Sequence, residues 1–398
     1  MANIPTDIKG GRVVSGKHTG VAPKRQRNSS IELLRLVSML MIVGFHYVRG
    51  GNQGLWIASQ PISFNKFVYQ MIYMSGGWIG NFIFFTISVW FLLDRCETLN
   101  DSLKRIWLLE RELLFWSLTL LVVTYFLHKQ GLYTGSMLSI TAKSIFPISL
   151  NMWWYPTSYA LFLLFMPFLI QGVRALGENA HKKLAIACLV LWGVLSLIPK
   201  FAFDLTESSV FVFIYWFVLI AYYRWYMEPF TTRRCWQLIG VGFAVVLLYW
   251  AVTNTLFMMT GKMAKMQSFI FDHWKLPMMM IGFGLFLLVE RREFHNRIIN
   301  VMAASAFGVY LIHFQPAIYQ AWTHYLGVPK MYTSSMPILM GALTIVGVFF
   351  ACLLLDMVRQ LLFALTIDRH KGRGYERIRA AWVAIAHRRS QRQAAENR

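Results

Sequence analysis

The chain has 398 residues, 57% of them hydrophobic and only 14% charged, a balance that excludes an ordinary soluble domain. Its formal net charge of +21 is spread between apolar segments instead of gathered in one patch, which favours membrane topology over nucleic-acid binding. The four cysteines (Cys96, Cys188, Cys235, Cys352) are far apart and show no CxxC or metal-like spacing, so neither a disulfide framework nor a metal site is expected.

Residues 1–27, rich in Gly, Lys and Arg and without apolar periodicity, read as a flexible basic tail. They do not read as a cleavable signal peptide, because the first apolar stretch runs on as a full span. Ten stretches then approach the length needed to cross a bilayer, with cores at about 30–48, 76–93, 106–127, 153–172, 184–199, 209–226, 236–257, 269–289, 299–322 and 336–365. The expected fold is therefore all-α, a polytopic protein of about ten transmembrane helices, with residues 28–367 forming one membrane domain. The amphipathic segment Phe64–Met74 either lies at the outer surface or extends the second helix, and residues 137–150 play a similar part before the fourth.

Placing the N-terminus inside puts about 28 of the 39 Lys and Arg in the tails and inner connections and about 9 outside. Short inner loops such as Arg233-Arg234 and Arg291-Arg292 alternate with poorly charged outer ones, as the positive-inside rule requires. An even number of spans returns the C-terminus to the cytoplasm. There Tyr375, Ile378, Trp382 and Ile385 recur at helical spacing among arginines of the tail 368–398, which predicts a helix lying on the anionic inner leaflet. The 15 tryptophans fit the many interfaces of a multi-pass protein of the cell membrane.

The first span, Ser30–Val48, carries Arg35 and His46, two ionisable groups that are expensive in a membrane helix. They are eleven positions apart, three turns plus roughly 20°, so they share one face with a rise of about 16 Å. A fixed cation thus points toward one side of the membrane while an imidazole lies deeper, a layout suited to holding an anionic molecule and working on its far end. His46 reads either as a general base or as a hydrogen-bonded packing residue. Arg35 reads either as an anion contact or as the partner of Glu32, three residues earlier, and it is near enough to the helix start to snorkel.

In the ninth span, Ser305–His313 (SAFGVYLIH) brings His313 some 15 residues from the cytoplasmic Arg297, the depth His46 has in its own helix. Tyr310 lies on nearly the same face as His313, as a substrate contact or as packing. Asn81 and Ser88 in the second span are seven residues apart and face the interior, as substrate contacts or as polar glue between helices. Trp153, opening Trp153-Trp154-Tyr155 at the outer interface, reads as an aromatic belt or as a platform for a sugar. Lys104, Arg105 and Arg111 ring the cytoplasmic mouth of the third span and can receive phosphates, although positive-inside topology alone would place them there. Asp272-His273, near the outer end of the eighth span, is either an acceptor-site pair or a solvated loop edge. There is no P-loop, GxSxG elbow, HExxH or metal-ligand cluster.

The opening helix IELLRLVSMLMIVGFHY, with Arg35 and His46, resembles the first-helix motif of the membrane acyltransferase-3 family. The resemblance continues through Asn81–Leu93, Trp153–Pro167 and Ser305–His313, in the family's order, over about residues 28–365. Val89 stands where the family usually has glycine, and Lys104, Arg105 and Arg111 only approximate its Arg-x-x-Arg pair. The resemblance implies a ten-helix membrane enzyme that takes an acyl group, most often acetyl, from cytoplasmic acyl-CoA to a hydroxyl of a glycan or lipid-linked sugar at the outer face, with no metal. Carried over residue by residue, His46 would be the catalytic histidine, Arg35 its partner and His313 a further functional position. Arg35, Lys104, Arg105 and Arg111 would hold CoA phosphates, while Tyr310, Trp153, Asn81 and Ser88 would meet the substrate. The rival readings are a polysaccharide or lipid-linked sugar exporter, in which the histidines couple protons, and a silent scaffold.

Overall fold

Every segment expected to enter the membrane is helical in the computed structural model, which describes residues 27–93, 98–201, 205, 209–370 and 372–396. Almost all of the basic N-terminal tail, and Cys96, lie outside them; Cys188, Cys235 and Cys352 are buried and unpaired. No strand occurs among the described residues.

Helix α1 (Ser29–Arg49) starts at Asn28, whose side chain accepts the Ser30 backbone N–H at 2.9 Å. Helix α2 (Phe64–Leu92) is continuous through a π-helical stretch at Tyr69–Ser75, so Phe64–Met74 extends the second span. Helix α3 (Leu99–Lys129) opens on a Thr98/Asp101 capping box. A short helix Met137–Ile145 leads to α4 (Trp154–Ala175), followed by α5 (Gly177–Leu197), α6 (Val210–Tyr226), α7 (Thr232–Thr260) and α8 (Leu276–Glu290).

The ninth span is broken. Helices α9 (Arg297–Ala304) and α10 (Ala306–His313) meet at Ser305, and the chain then bends by 82° into α11 (Pro316–Leu326). Pro316 has no N–H to continue the ladder, and the Gln315 side chain caps the new helix by accepting the Ile318 N–H at 2.8 Å. Helix α12 (Pro337–Leu365) and the tail helix α13 (Arg373–Glu396) complete the chain.

Among the described residues six helices (α1, α2, α4, α5, α7 and α12) are long and apolar enough to cross a membrane, and the bent Arg297–Tyr332 segment is a seventh if taken as one span. The remaining three expected crossings coincide with helices that miss this standard. Helices α6 and α8, of 17 and 15 residues, are apolar but short of a hydrocarbon core of about 30 Å. Helix α3 is long enough at 31 residues but carries Glu110, Arg111 and Glu112 in its first half. The fold is thus that of a helical multi-pass membrane protein, six or seven helices among the described residues meeting the standard by length and composition.

Burial places α1 and α2 at the centre, 72% and 83% of their apolar windows being covered, and leaves α7 and α12 on the periphery at 22% and 33%. Glycine permits the central contact. A Cβ on Gly80 would lie 2.7 Å from the Ser38 carbonyl oxygen, and one on Gly77 would lie 2.0 Å from the Cβ of Phe45, so only Gly lets these two backbones approach so closely. At its start α1 is tied to the turn before α9: Asn28 donates to the Arg292 carbonyl, the Ser29 N–H to the Phe294 carbonyl and the Ser29 hydroxyl to Asn300 Oδ1, each at 2.8 Å. Two helices that start level, at the same rise of about 1.5 Å per residue, carry His46 and His313 to one depth.

Candidate active site

His46 and His313 meet. Their Nδ1 and Nε2 atoms are 2.9 Å apart and both side chains are buried. The second nitrogen of His313, Nδ1, lies 2.6 Å from the Val309 carbonyl, which can only accept, so Nδ1 carries the proton. In a neutral pair the His313 Nε2 is then the acceptor and His46 Nδ1–H the donor, which leaves the His46 Nε2 lone pair for chemistry. His46 is further fixed by stacking on Phe314 (centroids 3.9 Å apart, planes 11°) and by the Tyr319 hydroxyl, which donates to its carbonyl at 2.6 Å. Trp322 Nε1 donates to the His313 carbonyl at 3.0 Å, so the bend after α10 holds the pair from both sides.

A cavity of about 450 Å³ opens at the end of the bundle where α1 begins. Four arginines line it (Arg27, Arg35, Arg111, Arg359) against two acids, Glu112 and Asp368. A neck of about 10 Å³, lined by Met39, Ile42, Asn81, Phe84, Tyr155, Phe307 and Tyr310, shares Phe84, Tyr155 and Phe307 with the cavity. That is room for about one water, so the aromatic side chains must turn to pass anything larger. Tyr310 brings the neck to His46, with ring centroids 6.0 Å apart. On α1 the path follows Arg35, Met39 and Ile42, with His46 the next turn along the same face; on α2 it follows Ser88, Phe84 and Asn81. The hydroxyls of Tyr155 and Tyr310 are buried and find no hydrogen-bond acceptor among the described residues, so each can donate to an oxygen that enters the neck.

The wall of the cavity contains a network that spacing arguments passed over. Asp356 on α12 is fully buried; it accepts Trp116 Nε1–H at 2.8 Å and the Arg359 guanidinium at 2.7 and 2.9 Å. Arg359 also pairs with Glu112 at 2.9 Å, and Gln360 donates to the Ser305 hydroxyl at 2.5 Å. A Cβ on Gly308 would sit 1.9 Å from Asp356 Oδ1, so this glycine is what lets α10 approach the network. The signal was legible: an Asp and an Arg at i,i+3 inside a 29-residue apolar helix are rare without a task.

The remaining candidates divide. Arg35 lines the cavity and pairs with Glu32 at 3.1 Å, and Arg111 lines it and pairs with Asp368 at 2.9 Å. Lys104 is drawn instead to Glu376 of α13 at 2.6 Å, and neither it nor Arg105 lines the cavity. Two of the structural readings need correction. Trp153 is 1% exposed and lines neither the cavity nor the neck, so it is a core side chain at the start of α4 and not part of an interfacial belt. His273 is fully buried, stacked on Trp154 (centroids 5.7 Å, planes 3°) and beside Trp78 at 4.8 Å, because the aromatic core encloses the chain before α8; it is no solvated loop edge. Among the described residues no group of three or more His, Cys, Asp or Glu could hold a metal ion.

A family model described as an acyltransferase domain matches residues 28–357, from the cap of α1 into α12. No curated protein and no solved structure matches the chain. The match takes in His46, His313, the neck and most of the cavity's lining, but ends before Arg359, Gln360, Phe363 and Asp368. The chain belongs to the acyltransferase-3 family and is a multi-pass membrane acyltransferase.

Proposed function

We propose that this protein moves an acyl group, acetyl above all, from cytoplasmic acyl-CoA to a hydroxyl of a cell-surface or secreted carbohydrate at the outer face of the cell membrane. The observation that carries the reading is a buried His46–His313 pair at the end of a neck whose other end opens into an arginine-lined cavity. The positive-inside distribution of Lys and Arg orients that cavity toward the cytoplasm. Arginines favour the donor's phosphates through charge-assisted hydrogen bonds, with Arg35 and Arg111 nearest the task. The pantetheine arm then follows the Arg35–Met39–Ile42–His46 face to bring the thioester to the histidines.

The chemistry follows from the tautomer. His46 Nε2 accepts the proton of the acceptor hydroxyl as its oxygen attacks the thioester carbonyl. The Tyr310 hydroxyl and the Asn81 amide supply hydrogen bonds to the oxygen that becomes negative. The tetrahedral intermediate collapses with cleavage of the C–S bond, and the CoA thiolate takes the proton back from His46. An ester and free CoA result. His313 holds the His46 ring in the productive tautomer and spreads the charge of the imidazolium. The same groups serve an acyl-histidine route, in which Nε2 itself attacks first.

The test is incubation of the purified protein with acetyl-CoA and candidate glycans. The reading predicts CoA release and ester formation in step, both lost in His46→Ala. Movement of glycan across vesicles without CoA consumption would sink it in favour of export. Mass spectrometry of surface glycans from cells with and without the gene then identifies the acceptor and the acyl length.

A further inference from the structure

At the end of the bundle opposite the arginine-lined cavity lies a second, polar cavity of about 260 Å³. It begins at Arg49, three residues and about 4.5 Å of helix rise beyond His46 on α1. Its polar lining is Arg49, Asn52, Gln70, Lys265, Gln267 and Ser268. Gln70 and Gln267 are each 1% exposed and locked together: Gln70 donates to Gln267 Oε1 at 2.8 Å, Trp250 Nε1 donates to Gln70 Oε1 at 2.8 Å, and Gln267 donates to the Ala58 carbonyl at 3.0 Å. The polar wall is therefore built into the core and is not a set of loose surface side chains.

Backbone strain collects at the same place. Asn52 (φ 66°), which lines the cavity, and Met263 (φ 73°), which precedes the lining residue Ala264, are two of the three described non-glycine residues with positive φ. A left-handed methionine is costly and persists where its surroundings demand it.

The charged residues that line the cavity, Arg49 and Lys265, are both cations. Asp272 is the only acidic residue in the segments 49–75, 128–153, 258–275 and 314–336. It is shared by the buried Lys275 at 2.9 Å and by Arg49 at 3.9 Å. The Arg49 guanidinium is held over Trp78, 4.6 Å from the ring, and over Phe45, which also adjoins His46 with centroids 5.3 Å apart. Lys265 is exposed at the rim. A cleft with hydrogen-bonding walls and an excess of cations concentrates an anionic, hydroxyl-rich ligand.

We propose that this cavity is the acceptor subsite and that it takes an acidic sugar, one bearing a carboxylate or phosphate, and presents its hydroxyl toward His46. Naming the occupant an acceptor rests on the acyl-transfer reading; the anionic-glycan site itself rests on the cavity.

The experiment measures equilibrium binding of oligogalacturonate, and of a neutral malto-oligosaccharide of equal length, to the full-length protein in lipid nanodiscs. Oligogalacturonate is expected to bind at least tenfold more tightly, to weaken with added salt, and to lose at least tenfold in the rim variant Lys265→Glu. Ser268→Trp, which fills the cavity without changing charge, is expected to abolish binding of both sugars. Equal affinity for the two sugars, no binding by the native protein, or affinity untouched by both variants overturns the proposal. Acetyl-CoA is then added: binding that passes all these tests without ester formation sinks the acyl-transfer reading and leaves the acidic-sugar site standing.

Discussion

Gly308→Ala should damage acyl transfer out of proportion to its size. In a free helix the change would stabilise by about 1 kcal/mol. Here the new Cβ would sit 1.9 Å from Asp356 Oδ1 and 2.0 Å from its Cγ. Ordinary contact begins at 3.4 Å, so about 1.5 Å of separation has to be found. Asp356 cannot easily supply it, because its carboxylate is bonded to Trp116 and twice to Arg359. Giving up one charged hydrogen bond there costs about 1.5–3 kcal/mol, which already exceeds the helix gain. The alternative is displacement of α10, the short helix that carries both Tyr310 and His313. A shift of about 0.7 Å along the bond would stretch the 2.9 Å His46–His313 contact beyond hydrogen-bond range. The expected result is a modest loss of stability, about 1–3 kcal/mol, and a fall in kcat of about 10²-fold. Donor KM should stay near its native value, since Arg35 and Arg111 pair with Glu32 and Asp368 and not with Asp356. Thermal unfolding in detergent and a CoA-release assay measure the two together. A Gly308→Ala protein as stable and as active as the native one would refute the view that close packing of α10 on Asp356 sets the histidine pair.

His313→Ala should lower kcat by about 10²–10⁴-fold with donor KM unchanged, because His46 loses the acceptor that fixes its tautomer; native-like CoA release would discard that role. Arg111→Ala should raise the KM for acetyl-CoA by about 10–100-fold, the equivalent of one charge-assisted hydrogen bond, whereas Lys104→Ala, whose ammonium faces Glu376, should leave it unchanged. Titration of acetyl-CoA against both variants decides between them. Asp356→Ala takes the bidentate carboxylate from the buried Arg359 guanidinium and should cost about 3–5 kcal/mol, Asp356→Asn less because it still accepts from Trp116; unfolding midpoints in detergent would expose an error in either figure.

Much of the architecture could be read from the chain because membrane helices announce themselves locally: length, apolarity and charged ends sit in contiguous residues. Even so, α8 starts only at Leu276, well inside its apolar stretch, and the ninth span is broken at Ser305 and bent by 82° beside Pro316. The Arg35–His46 face was legible because helix periodicity fixes it. The burial of Trp153 and His273 was not legible, because exposure depends on which aromatic rings from other helices cover a side chain, and no local pattern reports that. The Asp356–Arg359 pair was visible as charge within an apolar helix, but its partners Trp116 and Glu112 come from about 240 residues earlier.

A helical membrane protein with Arg35, His46 and His313 at defined depths follows from the order of residues alone, since helix rise depends only on counting them. Packing is what bonds His46 to His313, runs a cavity and neck from the arginine-lined end toward them, and sets a polar pocket beyond. Those facts depend on how each helix is rotated about its axis. That rotation is set by close approaches such as Gly80 to Ser38 and Gly308 to Asp356, between residues far apart along the chain.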